Sequence, residues 1–234
     1  MKKIYVLMGN FGSGKTELAL NIALEASKNG KTLLIDLDMV NTYFRLSDRK
    51  ALIEAAEIRL ISPNYACMNV ETLSLPAEVV SAFHGDWDTV VFDAGGDPAG
   101  ATALGRYHED FSQLQPGQLS VLNVVNVRRP MSGTPEKIIS ILHDMERNSR
   151  LQVTGFINNT NLSTETTEED LRDGYAVLKQ VSEKTAIPVL YTSGKRHMLD
   201  RFLAEGHDRQ FIGTPLVIDL YTHRDWDSFI KRGR

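Results

Sequence analysis

The segment GNFGSGKT, residues 9–16, constrains this chain more than any other stretch. It follows the apolar run IYVLM and opens the helical pattern ELALNIALEA. It fits G-x-x-x-x-G-K-[ST], a loop whose backbone N–H groups cradle phosphates. Gly9, Gly12 and Gly14, with Asn10, Phe11 and Ser13 between them, allow backbone conformations closed to other residues and bring N–H groups close to an anion. Lys15 is placed to reach the outer phosphates and the Thr16 hydroxyl to bind Mg²⁺. The helix that begins here, with Glu17 in its first turn, adds its positive N-terminal end. A dinucleotide fingerprint fails, because Gly12-Ser-Gly14 needs a third glycine at position 17, where Glu17 stands.

Apolar runs of strand length recur along the chain: Ile4–Met8, Thr32–Ile35, Ile58–Ile61, Thr89–Phe92, Leu119–Val125, Val153–Ile157, Pro188–Tyr191 and Leu216–Ile218. Several are continuously apolar, as parallel strands covered on both faces are. Helical patterns lie between them, at Thr16–Asn29, Asp48–Ala56, Pro76–Phe83, Pro135–Asn148, Glu168–Thr185 and Lys195–Ala204. Ser132 or Thr134 is placed to cap the fourth, and the acids from Glu165 to Asp170 to cap the fifth. Alternating strands and helices predict an α/β fold: a doubly wound, mostly parallel sheet with helices on both faces. The 234 residues show no repeat, low-complexity segment or linker, so a single domain over 1–234 is expected.

A phosphate loop needs carboxylates near its metal, and two strand ends supply them. In LLIDLDMVN, Asp36 and Asp38 end the second strand; in TVVFDAGGDPAG, four apolar residues lead to Asp93. The second is the pattern of a carboxylate that holds Mg²⁺, often through water. Asp93-Ala-Gly-Gly96 also fits D-x-x-G, in which a glycine N–H contacts the terminal phosphate and senses its loss. Asp36 is assigned to bonding the loop backbone.

The ordered set GNFGSGKT, IDLD, VVFDAGGDPAG and GFINNTN resembles the MinD/ParA-type P-loop ATPases, with CobQ/CobB-like enzymes among their relatives. The resemblance runs from residue 1 to about 195. It implies that Asp38 positions the attacking water, that Asp93 is the Walker-B carboxylate and that Asn159, or next Asn158, reads adenine. It places Pro188-Val-Leu-Tyr-Thr-Ser on the other side of the base. The residues agree on the base: an amide donates and accepts at once, which suits the N6/N7 edge of adenine. A guanine-reading N-K-x-D is absent; Asn126-Val-Arg-Arg and Asn158-Asn-Thr-Asn follow their strands instead. The expected cofactors are ATP or ADP and Mg²⁺, with the metal held by Thr16, Asp38 and Asp93, partly through water. The departure is Asn10, where many of these ATPases carry a lysine that crosses a dimer to the partner's phosphates. Arg45, Arg128 and Arg129 are the substitute cations, and a homodimer stays open.

Other signals narrow the function. The charge balance is 26 Lys and Arg against 30 Asp and Glu, a net −4, which does not suit a nucleic-acid coat. Cys67 is the lone cysteine, so no internal disulfide forms and a reducing, cytoplasmic setting is expected. The histidines, at 84, 108, 143, 197, 207 and 223, form no i, i+4 pair, so no transition metal is expected. The tail HRDWDSFIKRGR is too short, and too acidic at Asp225 and Asp227, for stable membrane anchoring. Lys195-Arg196-His197 is a basic cluster for an anionic substrate or partner, or a solvated loop. The first reading is a switch that hydrolyses ATP slowly and acts on a protein partner. The alternatives are a metabolic kinase or synthetase resembling dethiobiotin synthetase, and a metallochaperone ATPase that would use Cys67.

Overall fold

The computed structural model describes residues 1–38, 45–62, 77–96 and 98–222. Eight strands form one sheet: β1 (Lys3–Met8), β2 (Thr32–Asp36), β3 (Arg59–Ile61), β4 (Thr89–Asp93), β5 (Leu119–Val125), β6 (Gly155–Asn158), β7 (Val189–Gly194) and β8 (Thr214–Val217). Their order is β3-β2-β4-β1-β5-β6-β7-β8, and every neighbouring pair is parallel. The α-helices among the described residues are α1 (Lys15–Ser27), α2 (Lys50–Ala55), α3 (Ser81–His84), α4 (Pro98–Gly105), α5 (His108–Ser112), α6 (Pro135–Ser149), α7 (Glu168–Thr185) and α8 (Arg196–Ala204). The expected doubly wound α/β fold is therefore present.

Successive residues of the central strands enter opposite cores, which explains their unbroken apolar sequences. Ile4, Val6 and Met8 of β1 join Val90 and Phe92 of β4, Leu104 of α4 and Leu142 of α6. Leu7, Leu34 and Val91 point the other way and pack with Leu18, Ala19 and Leu20 of α1. A smaller cluster of Leu171, Met198, Leu199, Phe202 and Ile212 seats α8.

All eight expected strands form, with shifted ends. Val153 lies outside β6, since its N–H donates to Glu146 Oε1 at 2.9 Å instead of a ladder. The last strand begins at Thr214 and carries Pro215, which an edge strand tolerates because a missing N–H faces away from the sheet. The first turn of the second helical pattern is a 3₁₀ turn, Leu46–Arg49. Helices α4 and α5 were not foreseen. Thr134 caps α6, accepting from the Lys137 N–H. Asp170 accepts from the Thr167 N–H at 2.7 Å at the start of α7. Cys67, the tail from His223 and the expected helix start at Pro76 lie outside the described residues.

Candidate nucleotide site

The strand order reverses its direction of travel at β1: β2 and β3 lie to one side, β5 to β8 to the other. In open α/β sheets a ligand sits beyond the carboxyl ends of the strands at such a point. Here that place is a cleft of about 1070 Å³. Asn10, Lys15, Thr16, Asp38, Arg129, Asn159, Asn161, Gly194 and Lys195 are among its lining residues.

The loop from Gly9 to Thr16 takes the shape its glycines suggest. Gly12 and Gly14 have φ of 72° and 90°, in the left-handed region that favours glycine. Gly14 is the N-cap of α1, and no side chain caps that helix. The first N–H groups of α1 are thus not satisfied from a cap, the arrangement that receives an anion. Lys15 is 5% exposed, and its Nζ donates to the Asn10 carbonyl at 3.1 Å.

The acids divide by position. Asp36, at the end of β2, accepts from the Asp38 N–H at 3.0 Å and shapes the turn. Burial, and then the charge of Asp93, push its carboxyl up to about 8. Asp93 is 1% exposed, and neither carboxylate oxygen has a hydrogen-bond partner of good geometry. Burial raises it to about 7, against the pull of the nearby Lys15 ammonium and Thr16 hydroxyl. A sealed, unsatisfied carboxylate beside a hydroxyl and an ammonium fits a divalent cation. Among the described residues no group of three or more His, Cys, Asp or Glu is placed to hold a metal by itself. Mg²⁺ is a cation held through one or two protein oxygens and the substrate's phosphates. Thr16 and Asp93 are the residues that would hold it.

Gly96 brings the loop after β4 onto the phosphate loop. A Cβ there would lie 2.8 Å from both the N and Cα of Phe11 and 2.9 Å from Lys15 Nζ. The D-x-x-G turn and the phosphate loop are therefore in direct apposition.

Asn159 follows β6 and is buried. Its amide is held at both ends: Nδ2 donates to the Ser13 carbonyl at 2.7 Å, and Oδ1 accepts from the Ser193 hydroxyl at 2.6 Å. Asn158 points away from the cleft, donating to the Leu171 carbonyl and accepting from the Thr160 N–H. Across the cleft stand Ser193, Gly194, Lys195 and Met198 from β7 and α8, with Ile218 and Leu220 after β8.

Sequence reading missed two features. Glu17, expected at the nucleotide, uses its carboxylate to accept from the N–H groups of Tyr221 and Thr222, at 2.7 and 2.9 Å. With the Asn21–Asp219 bonds, it ties the segment after β8 to α1 as a wall of the cleft. The partners are about 200 positions apart in sequence, which no local pattern reveals. The three arginines also separate. Arg128 is paired with Asp170 at 2.5 Å and Asp173 at 2.7 Å. Arg129 donates from Nε to the Gly12 carbonyl at 2.9 Å. Arg45 precedes the 3₁₀ turn at Leu46 and is not among the cleft's lining residues.

No protein-family model matches the chain, and no curated protein does. Solved structures do resemble it. FtsY from Mycoplasma mycoides superposes with a TM-score of 0.56 at 18% identity, over 82% of this chain and 60% of that one. The cell division protein FtsY from Thermotoga maritima gives 0.56 at 17%, over 86% and 64%. The signal recognition particle receptor FtsY from Elizabethkingia anophelis, in complex with GDP, gives 0.53 at 18%, over 86% and 60%. The chain thus spans about three fifths of the length of these structures. The likeness is one of fold, and with the phosphate loop it establishes that this chain has the α/β fold of the P-loop NTPases.

Proposed function

We propose that the protein is a nucleotide-driven switch that binds ATP with Mg²⁺, hydrolyses it slowly and acts on a protein partner. The observation that carries this reading is the apposition of Gly96 to Phe11 and Lys15. A loop that touches the phosphate cradle is placed to move when the terminal phosphate arrives or departs. Backbone N–H groups from Gly12 to Thr16 and the Lys15 ammonium bind the phosphates. Asp38, which lines the cleft, orients water. Mg²⁺ held by Thr16 and Asp93 would supply charge neutralisation at the phosphates.

Adenine is favoured by what the base end of the cleft lacks. Guanine presents two adjacent donors, which a carboxylate accepts as a pair. The acids among the described lining residues are Glu17 and Asp38, and Glu17 is engaged by Tyr221 and Thr222. Beyond its bonds to the Asn159 carbonyl and the Ser163 N–H, the Asn161 amide keeps one N–H and one lone pair, and so can donate and accept as the adenine edge does. Partner binding is supported by Phe11 and Met131, both lining the cleft and 59% and 58% exposed.

Calorimetry with Mg-ATP, Mg-ADP, Mg-GTP and Mg-GDP tests the reading. Tighter adenine binding, abolished hydrolysis in Lys15→Ala and activation by a captured partner are expected. Equal or tighter guanine binding would sink the base assignment. Fast turnover with a single small metabolite would favour an acceptor kinase over the switch.

A further inference from the structure

Arg129 is a cation that lines the same cleft as Asn10. Its Nε donates to the Gly12 carbonyl at 2.9 Å. The guanidinium lies against that glycine: a Cβ on Gly12 would come 3.3 Å from Nε and 3.5 Å from Cζ. The backbone beneath it is fixed, since the Arg129 N–H donates to the Asn126 carbonyl at 3.1 Å and the Arg128 N–H to Asn126 Oδ1 at 3.0 Å. Neighbouring Arg128 is drawn away by Asp170 and Asp173. Arg129 has no acidic partner among the described residues, and it lines the same cleft as Asn10, Lys15 and Asp38. An arginine held by Nε alone keeps its two terminal nitrogens for an anion.

We infer that Arg129 is a catalytic arginine acting in cis, which contacts the terminal phosphate of the nucleotide held by its own chain. The inference rests on the nucleotide reading above. In the reaction the oxygen of water bonds to the terminal phosphorus. The bond from that phosphorus to the bridging oxygen breaks, and its electron pair leaves on ADP. The water's proton passes to solvent through the phosphate product. Charge gathers on the terminal and bridging oxygens, where a guanidinium stabilises it more than in the ground state.

The test uses the full chain and three variants: Arg129→Ala, Arg129→Lys and Lys15→Ala. ADP affinity in Arg129→Ala should fall by far less than hydrolysis does, since losing the Gly12 contact loosens the loop but removes nothing from the terminal phosphate. Single-turnover hydrolysis and affinity for ADP with aluminium fluoride should both fall by ~10²–10³, the range for loss of one such donor. Arg129→Lys should recover little of this, since it lacks the fork. Mixing Arg129→Ala with Lys15→Ala chains should leave the mixture inactive. Recovery in the mixture would overturn the cis assignment, because an intact Arg129 would then be serving another chain. Unchanged hydrolysis and analogue affinity in Arg129→Ala would overturn its catalytic role and leave the switch reading standing. Failure of the wild-type chain to bind any nucleotide would overturn both.

Discussion

Asn159 and Ser13, 146 residues apart in sequence, are joined by a hydrogen bond of 2.7 Å from amide nitrogen to carbonyl oxygen. The bond belongs to a longer chain of amides. Asn161 Nδ2 donates to the Asn159 carbonyl at 2.7 Å, and Asn126 Nδ2 donates to the Asn161 carbonyl at 3.0 Å. Asn126 also fixes the backbone of Arg128 and Arg129, and Arg129 returns to Gly12. The ends of β5 and β6 thereby grip the phosphate loop from two sides. Gly14 makes room for this grip, since a Cβ there would collide with Asn159 Nδ2.

The first prediction separates a strut from a base reader. Asn159→Ala leaves the Ser13 carbonyl unmatched in a buried place, while the Ser193 hydroxyl keeps only the Asn158 carbonyl at 3.1 Å. Urea denaturation should show a loss of about 1–3 kcal/mol. The affinities for Mg-ATP and Mg-GTP should fall together, because the damage is to the phosphate loop. A fall in Mg-ATP affinity alone would restore the base-reading role that the resemblance implies.

The second prediction concerns Gly96→Ala. The new methyl group would meet the Phe11 backbone, which cannot give way as a side-chain end can. Nucleotide affinity should drop at least tenfold while the rest of the fold stays intact, as read by calorimetry beside circular dichroism. Unchanged affinity would show that the two loops move apart freely and would remove the basis for a phosphate-sensing contact.

Much of this was legible because the informative patterns are local. A strand buried on both faces reads as an apolar run, so Leu119–Val125 matches β5 at both ends. A capped amphipathic helix reads just as clearly, and Glu168–Thr185 matches α7 at both ends. Helix α4 was missed because Gly100 and Gly105 read as breakers. They are small for packing: a Cβ on Gly105 would lie 2.9 Å from the Asn148 carbonyl oxygen of α6. The site was legible to the extent that its residues sit at strand ends in fixed motifs. The clasp of Glu17 on Thr222 and the seat of Arg129 on Gly12 depend on tertiary closure, and single residue types carry no mark of it.

The third prediction is a pH dependence of the nucleotide-free protein. Burial raises the Asp36 carboxyl to about 8 and that of Asp93 to about 7, from a usual 3.8. Between those limits the folded chain holds protons that the unfolded chain has released. Linkage then makes stability fall as pH rises from about 4 to about 8, by up to ~1.4 kcal/mol per pH unit for each full proton. Asp36→Asn removes one of the two groups yet keeps an oxygen for the Asp38 N–H. Its stability relative to wild type should therefore grow from pH 5 to pH 8 in urea titrations. A constant difference across that range would mean that Asp36 is ionised throughout.

The fourth prediction is that Asp38→Ala and Asp93→Ala fail differently. Asp38 lines the open cleft, on the turn after β2, whereas Asp93 ends β4 with 1% exposure, beside Thr16 and Lys15. A group in the cleft can orient a water molecule; a group sealed beneath the phosphate loop can hold a cation but cannot reach the far side of a terminal phosphate. Removing the Asp38 carboxylate should slow single-turnover hydrolysis by ~10²–10⁴, or roughly 3–5 kcal/mol of barrier, and leave Mg-ATP affinity within a few fold. That variant should trap the ATP-bound form and serve as bait for a partner. Removing the Asp93 carboxylate should weaken Mg-ATP binding and reduce the difference between the ATP and ADP states, read by protease sensitivity of the loop after β4. It should also relieve a buried, unsatisfied carboxylate, so the nucleotide-free variant should be at least as stable as wild type above pH 7. The reverse pattern, with Asp38→Ala unable to bind and Asp93→Ala binding normally but stalled, would exchange the two roles. It would also require water to approach from the side of the sheet, which the burial of Asp93 opposes.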